Sequence, residues 1–137
     1  MKRHILSVLG YIFATFLVQG MSHFVVFSAH YAGISLLRPE PNFALGVSSM
    51  VIQGIILSVV FAGSDFDTGK LVDAIVFAWL FGAFLVSYIA LAEAGKYNVP
   101  VVSSWIAVET GVGFVQFTLI GILVGLVHRK RHADFKV

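Results

Sequence analysis

No cysteine occurs anywhere in the chain, which excludes disulfide staples, thiolate metal sites and thiol–quinone redox chemistry together. Charge is nearly as scarce. Of 137 residues only 12% are charged while 58% are hydrophobic, and a soluble domain carries about a quarter charged residues. The mean hydropathy is +0.94. A chain of this length makes one domain, and it has too little charge to coat a water-exposed surface. Lipid must cover the remainder. The excess of nine Lys and Arg over seven Asp and Glu is a formal +2, too small to imply a nucleic-acid partner. Internal repeats, low-complexity tracts and a separate soluble domain are also missing.

What is present is four long apolar runs: Ile5–Phe27, Phe43–Gly63, Leu71–Ala92 and Val101–Val127. Each reaches the roughly 20 residues that a helix needs to cross a hydrocarbon core about 30 Å thick. None shows the alternation of a strand or the segments of about 10 residues from which closed barrels are built. Lipid forces every backbone group to pair within its own segment, so helices remain. The expected fold is all-α, an antiparallel four-helix transmembrane bundle forming a single domain over residues 1–137. The first run follows Met1-Lys2-Arg3-His4. It exceeds the 7–15 residues or so of a signal-peptide core and lacks a convincing cleavage site, so it is expected to be retained as a span.

The breaks are chemically plain. Arg38-Pro39-Glu40-Pro41-Asn42 contains prolines that stop a continuous helix. Ser64–Lys70 and Ala94–Pro100 are short polar loops, which join neighbours as antiparallel partners. The less polar stretch Ser28–Leu37 is expected to lie along the outer surface. Cations then orient the chain. With the N-terminus inside, Lys2, Arg3, Lys70, Arg129, Lys130, Arg131 and Lys136 are inside and Arg38 and Lys96 outside, seven of the nine against two. The positive-inside rule therefore places both termini in the cytoplasm. His128-Arg129-Lys130-Arg131-His132 reads as a stop-transfer anchor beside anionic headgroups. Ala78 with Gly82, and Gly121 with Gly125, are small pairs at four-residue spacing that let backbones approach. They suit packing within the bundle or between subunits.

The candidate functional residues are those that do not belong in lipid. On the first run Thr15, Gln19, Ser22 and His23 share a helical face, with Tyr11 a turn away. The second has Ser49 and Gln53, the third Ser87 and Tyr88, and the fourth Glu109 with Gly113 and Gln116 on its face. Intramembrane ionisable groups are costly, face the bundle interior and often mark function. At 1.5 Å per residue, Gln19 and Glu109 each sit about 12 Å below the outer ends of their spans. Gln19, His23, Ser49, Gln53, Tyr88 and Glu109 are thus expected to converge on one outward-facing polar pocket, with Glu109 within reach of His23 or Gln19. Arg38, beside Pro39 and Glu40, is the candidate cap at the pocket mouth. The competing reading is that the polar groups only bond helices together, at about 0.6 kcal/mol per pair.

Metal and haem are lesser alternatives. His23 and Glu109 supply a pair of ligand types that a transition metal accepts. A bis-histidine haem would need histidines on facing helices, and only the first run carries an interior one. The cofactor is left unassigned.

Small multidrug exporters carry a Glu in the first span, which this chain lacks. His23, then Tyr31, then Arg38-Pro39 before the second run, together with Trp105 and a last span ending in Gly121, Gly125 and His128-Arg129, resemble uncharacterised bacterial four-span inner-membrane proteins. In that group Gly commonly follows the His, whereas Phe24 does so here. The resemblance implies a four-span architecture and a bacterial inner membrane, but no activity. The function expected is a small-molecule or ion binding or transport protein. The alternative is an accessory or scaffold subunit of a larger membrane complex or a homo-oligomer, and an enzyme acting on a lipid-soluble substrate ranks third, since no nucleophile constellation is present.

Overall fold

The computed structural model describes residues 1–34, 38 and 40–129. Residues 35–37, Pro39 and the stretch from Lys130 onward lie outside the described residues, and with them most of the basic end. Among the described residues four helices are long and apolar enough to cross a membrane: Lys2–Val26, Phe43–Gly63, Leu71–Lys96 and Val102–His128. The first comprises α1 (Lys2–Met21) and a π-helical turn (Ser22–Val26), and a short α2 (Ser28–Ala32) follows it. Next comes α3 (Phe43–Gly63). The third span is α4 (Leu71–Ser87), a second π turn (Tyr88–Glu93) and α5 (Ala94–Lys96). The last is α6 (Val102–His128).

The ends of these helices follow from local chemistry. Asn42 caps α3, its Oδ1 accepting from the Leu45 amide at 3.2 Å, as an N-cap side chain does for an otherwise orphaned donor. After α3, the loop to α4 is tied by Asp67, whose Oδ1 accepts from the Gly69 amide at 2.8 Å and whose Oδ2 lies 3.7 Å from Lys70 Nζ.

Helix α6 is the hub. It packs along both α1 and α4, α1 also packs on α3, and α3 touches α4 only lightly. The span formed by α6 is accordingly the most buried and that of α3 the least. Small residues explain the α4–α6 contact. A Cβ on Gly121 would come within 2.7 Å of the Ile75 backbone and close to Ala78, and one on Gly82 would collide with the Phe117 ring. Both small pairs therefore pack within the chain, at this one seam. Without water inside the bilayer to drive association, such close van der Waals contact holds membrane helices together. The densest core comprises Tyr11, Leu57, Phe61, Phe117, Ile120 and Val124, all at most 2% exposed.

Of the Ser28–Leu37 connection the structure describes residues 28–34, which lie over one end of the bundle with Tyr31 and Ile34 buried and Ser28, Ala29, Ala32 and Gly33 exposed. At the π turn the Phe27 amide bonds back to the Ser22 carbonyl at 2.9 Å, and the chain bends over the end of the bundle. Tyr31 and Ile34 then pack against Val99 and Trp105. Because His4 and His128 lie side by side, both termini of the bundle share one end, and α2 closes the other.

Candidate functional site

Helix α1 carries polar side chains at four-residue steps along its inward face: Ser7, Tyr11, Thr15 and Gln19, followed by Ser22. Ser7, Tyr11, Thr15 and Ser22 are buried. Groups placed this way must find partners inside the protein, because hydrocarbon offers none.

At the α2 end the central group is Glu109, 7% exposed. Its Oε1 accepts from the Tyr31 hydroxyl at 2.7 Å, and the Ser22 hydroxyl lies 3.4 Å from the same Tyr31 oxygen. The His23 ring stacks on Tyr31 with centroids 3.7 Å apart and planes 12° from parallel. His23 Nδ1 lies 3.0 Å from the Gln19 carbonyl. A carbonyl can only accept, so Nδ1 carries the proton and a neutral His23 keeps its lone pair on Nε2. Ile89, on the second π turn, lines the same cavity as Glu109. The Trp105 indole donates to the Ile89 carbonyl of that same turn at 3.0 Å. Single π turns inside helices recur at functional sites, and here two of them flank one carboxyl group.

One step deeper, Gln19 Nε2 donates to Gln116 Oε1 at 2.6 Å, and Gln116 Nε2 donates to Thr15 Oγ1 at 3.1 Å. The Tyr11 hydroxyl donates to Gln53 Oε1 at 2.7 Å, and Gln53 Nε2 to Ser49 Oγ at 3.0 Å. Between these two networks lies a cavity of about 150 Å³. Thr15, Gln19, Gln53, Glu109 and Gln116 supply its polar lining, and Leu85, Val86 and Phe117 part of its apolar wall.

Gln19, Gln53 and Glu109 thus share one cavity. His23 reaches Glu109 only through the Tyr31 ring, and the direct partner of Glu109 is Tyr31 rather than His23 or Gln19. The reason is the fold of α2, which carries a phenol inward past both. Ser49 is exposed and stands behind Gln53 as its acceptor. Tyr88 lies apart from the cavity. It is 52% exposed, its hydroxyl accepts from Lys96 Nζ at 2.9 Å, and that ammonium sits 4.6 Å over its ring. Arg38 is exposed, makes no hydrogen bond or ion pair to another described residue, and is not among the residues that line the cavity.

Tyr31, Thr15 and Gln116, none of them among the six residues expected to converge on the pocket, form the hydrogen bonds on which Glu109 and Gln19 depend. Thr15 and Gln116 were signalled by their faces. Tyr31 was marked only by its place between His23 and Arg38-Pro39 in the resemblance, not as a polar group of a span. No protein-family model, curated protein or solved structure matches this chain. Its chemistry must therefore be taken from the site itself.

That chemistry is restricted. Among the described residues no three of His, Cys, Asp and Glu gather as a metal cluster, and the one ion pair is the exposed Lys70–Asp67. Among the described residues Glu109 has a phenol donor but no cationic side chain against it. A carboxylate in that position needs either a proton or an external cation to neutralise it.

Proposed function

We propose that this chain is an integral membrane protein that binds or transports a small ion or small polar solute through the cavity beside Glu109. The termini and the Ser64–Lys70 loop face the cytoplasm, and the α2 end faces outward across a bacterial inner membrane. The seven-to-two distribution of cations supports that orientation. One observation carries the function: an interior carboxyl group without a cationic partner borders a cavity of about 150 Å³ with four further polar side chains. Pockets for drug-sized ligands hold about 300–1,000 Å³, and one water occupies about 30 Å³ of liquid. The occupant is therefore an ion or a solute of a few heavy atoms. Glu109 supplies the charge, Tyr31 and His23 hold it in place, and Gln19, Gln53 and Gln116 supply neutral donors and acceptors.

The test is a thermal-stability scan of purified protein in mild detergent, across monovalent cations and pH. A species that binds the folded form stabilises it in a saturable manner. At least one cation, or the proton, should raise the melting temperature of wild type and not of Glu109→Gln. If none does, or if the variant responds as wild type does, the reading fails.

An accessory role is favoured by a different feature, the sparse packing of α3, which leaves Leu45, Ile52, Ile55, Ile56 and Val59 exposed along its length. Native mass spectrometry of the detergent-purified protein separates the two. A stoichiometric protein partner supports the accessory role, and a retained small ligand supports the cavity.

A further inference from the structure

A second buried polar cluster lies at the terminal end of the bundle, where the sequence suggested only anchoring residues. His128, the last residue of α6, is 3% exposed. Its Nε2 lies 3.1 Å from Ser7 Oγ and 3.3 Å from Ser58 Oγ. Ser58 Oγ lies in turn 2.9 Å from His4 Nδ1. Three helices, α1, α3 and α6, meet on this chain of atoms. Ser7 and Ser58 are at most 1% exposed, whereas His4 is half-buried and reaches toward the end of the bundle.

One hydroxyl between two imidazoles is a proton-relay geometry. We propose that His4, Ser58 and His128 form a proton-exchange path at the cytoplasmic end, so that the ion handled by, or coupled to, the Glu109 cavity is the proton. This rests on the transport reading above. A proton arriving from water adds to His4 Nε2. His4 then gives its Nδ1 proton to Ser58 Oγ while Ser58 gives its own to His128 Nε2. His4 ends neutral with the proton on Nε2, Ser58 keeps one hydrogen, and His128 carries the charge. The reverse sequence returns it.

The groups packed around this cluster come from each neighbouring element. On α1 the groups near His128 are His4 and Arg3. Arg129 follows it in sequence, α3 contributes the neutral Ser58 and Phe61, and α4 meets this end of α6 through Leu71 and Ala74 at Gly125. Among the described residues the groups around the cluster are thus cationic or neutral, and two imidazoles joined through one hydroxyl suit a relay.

Beyond Ser7 the path stops. The rings of Tyr11, Phe61 and Phe117, with Leu57 and Ile120, form an apolar septum between this cluster and the Gln19–Gln116–Thr15 network. Tyr11 spans it, with its ring in the septum and its hydroxyl on Gln53 in the other network. Two polar half-paths separated by one packed layer form a pathway that is closed in this conformation.

The experiment uses the full chain reconstituted in phosphatidylcholine–phosphatidylglycerol vesicles with a trapped pH-sensitive dye and a valinomycin-clamped potassium potential. Wild type should pass protons above protein-free vesicles. His128→Gln should lower that flux by about a hundredfold, the scale on which a positioned proton-transfer group acts. Ser58→Ala keeps both histidines and the fold but breaks the bridge, and should also slow the flux. Wild-type flux equal to that of empty vesicles overturns the proposal, as does unchanged flux in both variants when their melting temperatures match wild type. The Glu109-dependent stabilisation scan is independent of these variants. If it persists while flux is absent, only the proton path fails, and if it too is absent the transport reading fails with it.

Discussion

Glu109 shows how a single costly residue organises its neighbourhood. A bare carboxylate toward lipid costs several kcal/mol, so α6 turns it inward, where the Tyr31 hydroxyl meets it at 2.7 Å. The two natural replacements therefore differ. Glu109→Gln keeps an oxygen acceptor for Tyr31 and nearly the same volume. Glu109→Leu removes that acceptor and leaves the buried phenol only the longer 3.4 Å contact with Ser22 Oγ, at a cost of about 1–3 kcal/mol. The Leu variant should melt below the Gln variant in detergent, and equal melting would show that the Tyr31 contact contributes nothing. Tyr31→Phe removes the same hydrogen bond from the other side while retaining the stack on His23. Because Tyr31→Phe takes the donor from a buried carboxyl group, its loss should be at least as large as that of Glu109→Leu, and the two effects should not add in the double variant.

The helices divide the labour. The seam between α4 and α6 depends on absent side chains, because a Cβ at Gly121 would meet backbone atoms of α4 rather than a flexible side-chain tip. Gly121→Val should therefore destabilise by about 1–3 kcal/mol, the usual cost of overpacking. Gly46→Ala, where nothing lies within 4 Å of the added Cβ, should be neutral or slightly stabilising. Thermal melts of the two variants check the contrast, and equal losses would contradict the packing described. Helix α3 lies at the other extreme, with light contact to α4 and the lowest burial of the four spans. Few buried contacts mean low local stability. In hydrogen exchange of detergent-solubilised protein, α3 should exchange ahead of α6, and the reverse order would mean that α3 has a partner surface which the bundle alone does not supply.

At the scale of the whole molecule, one end is closed by α2 and the other holds the termini. If the termini are cytoplasmic, a periplasm-active reporter inserted between Tyr97 and Asn98 should be active and one fused to the C-terminus silent. The opposite result would reverse the orientation and place the His4–Ser58–His128 cluster outside. If the chain transports as proposed, the two polar half-paths and the septum between them require a change of packing around Tyr11, Phe61 and Phe117. The light α3–α4 contact is the place where the bundle can yield at least cost.

The four spans and their helical state were legible in the residues alone, because a bilayer imposes one length and one way of pairing the backbone. The expected limits of the second span coincide with α3, and the other three lie within a few residues of the observed helices. Gln19, Gln53 and Glu109 could likewise be selected as interior groups, since the cost of a polar side chain in lipid is local and acts on each span separately. Their partners could not. Tyr31 lies in a connection, and only the π turn at Ser22–Val26 redirects it onto Glu109. His4 and His128 sit at opposite ends of the chain among cations that any stop-transfer segment would carry. They become one buried cluster because α1 and α6 are neighbours with their ends level. Burial cost is written into each segment, whereas the choice of partner depends on which helices meet and at what rotation, and packing alone decides that.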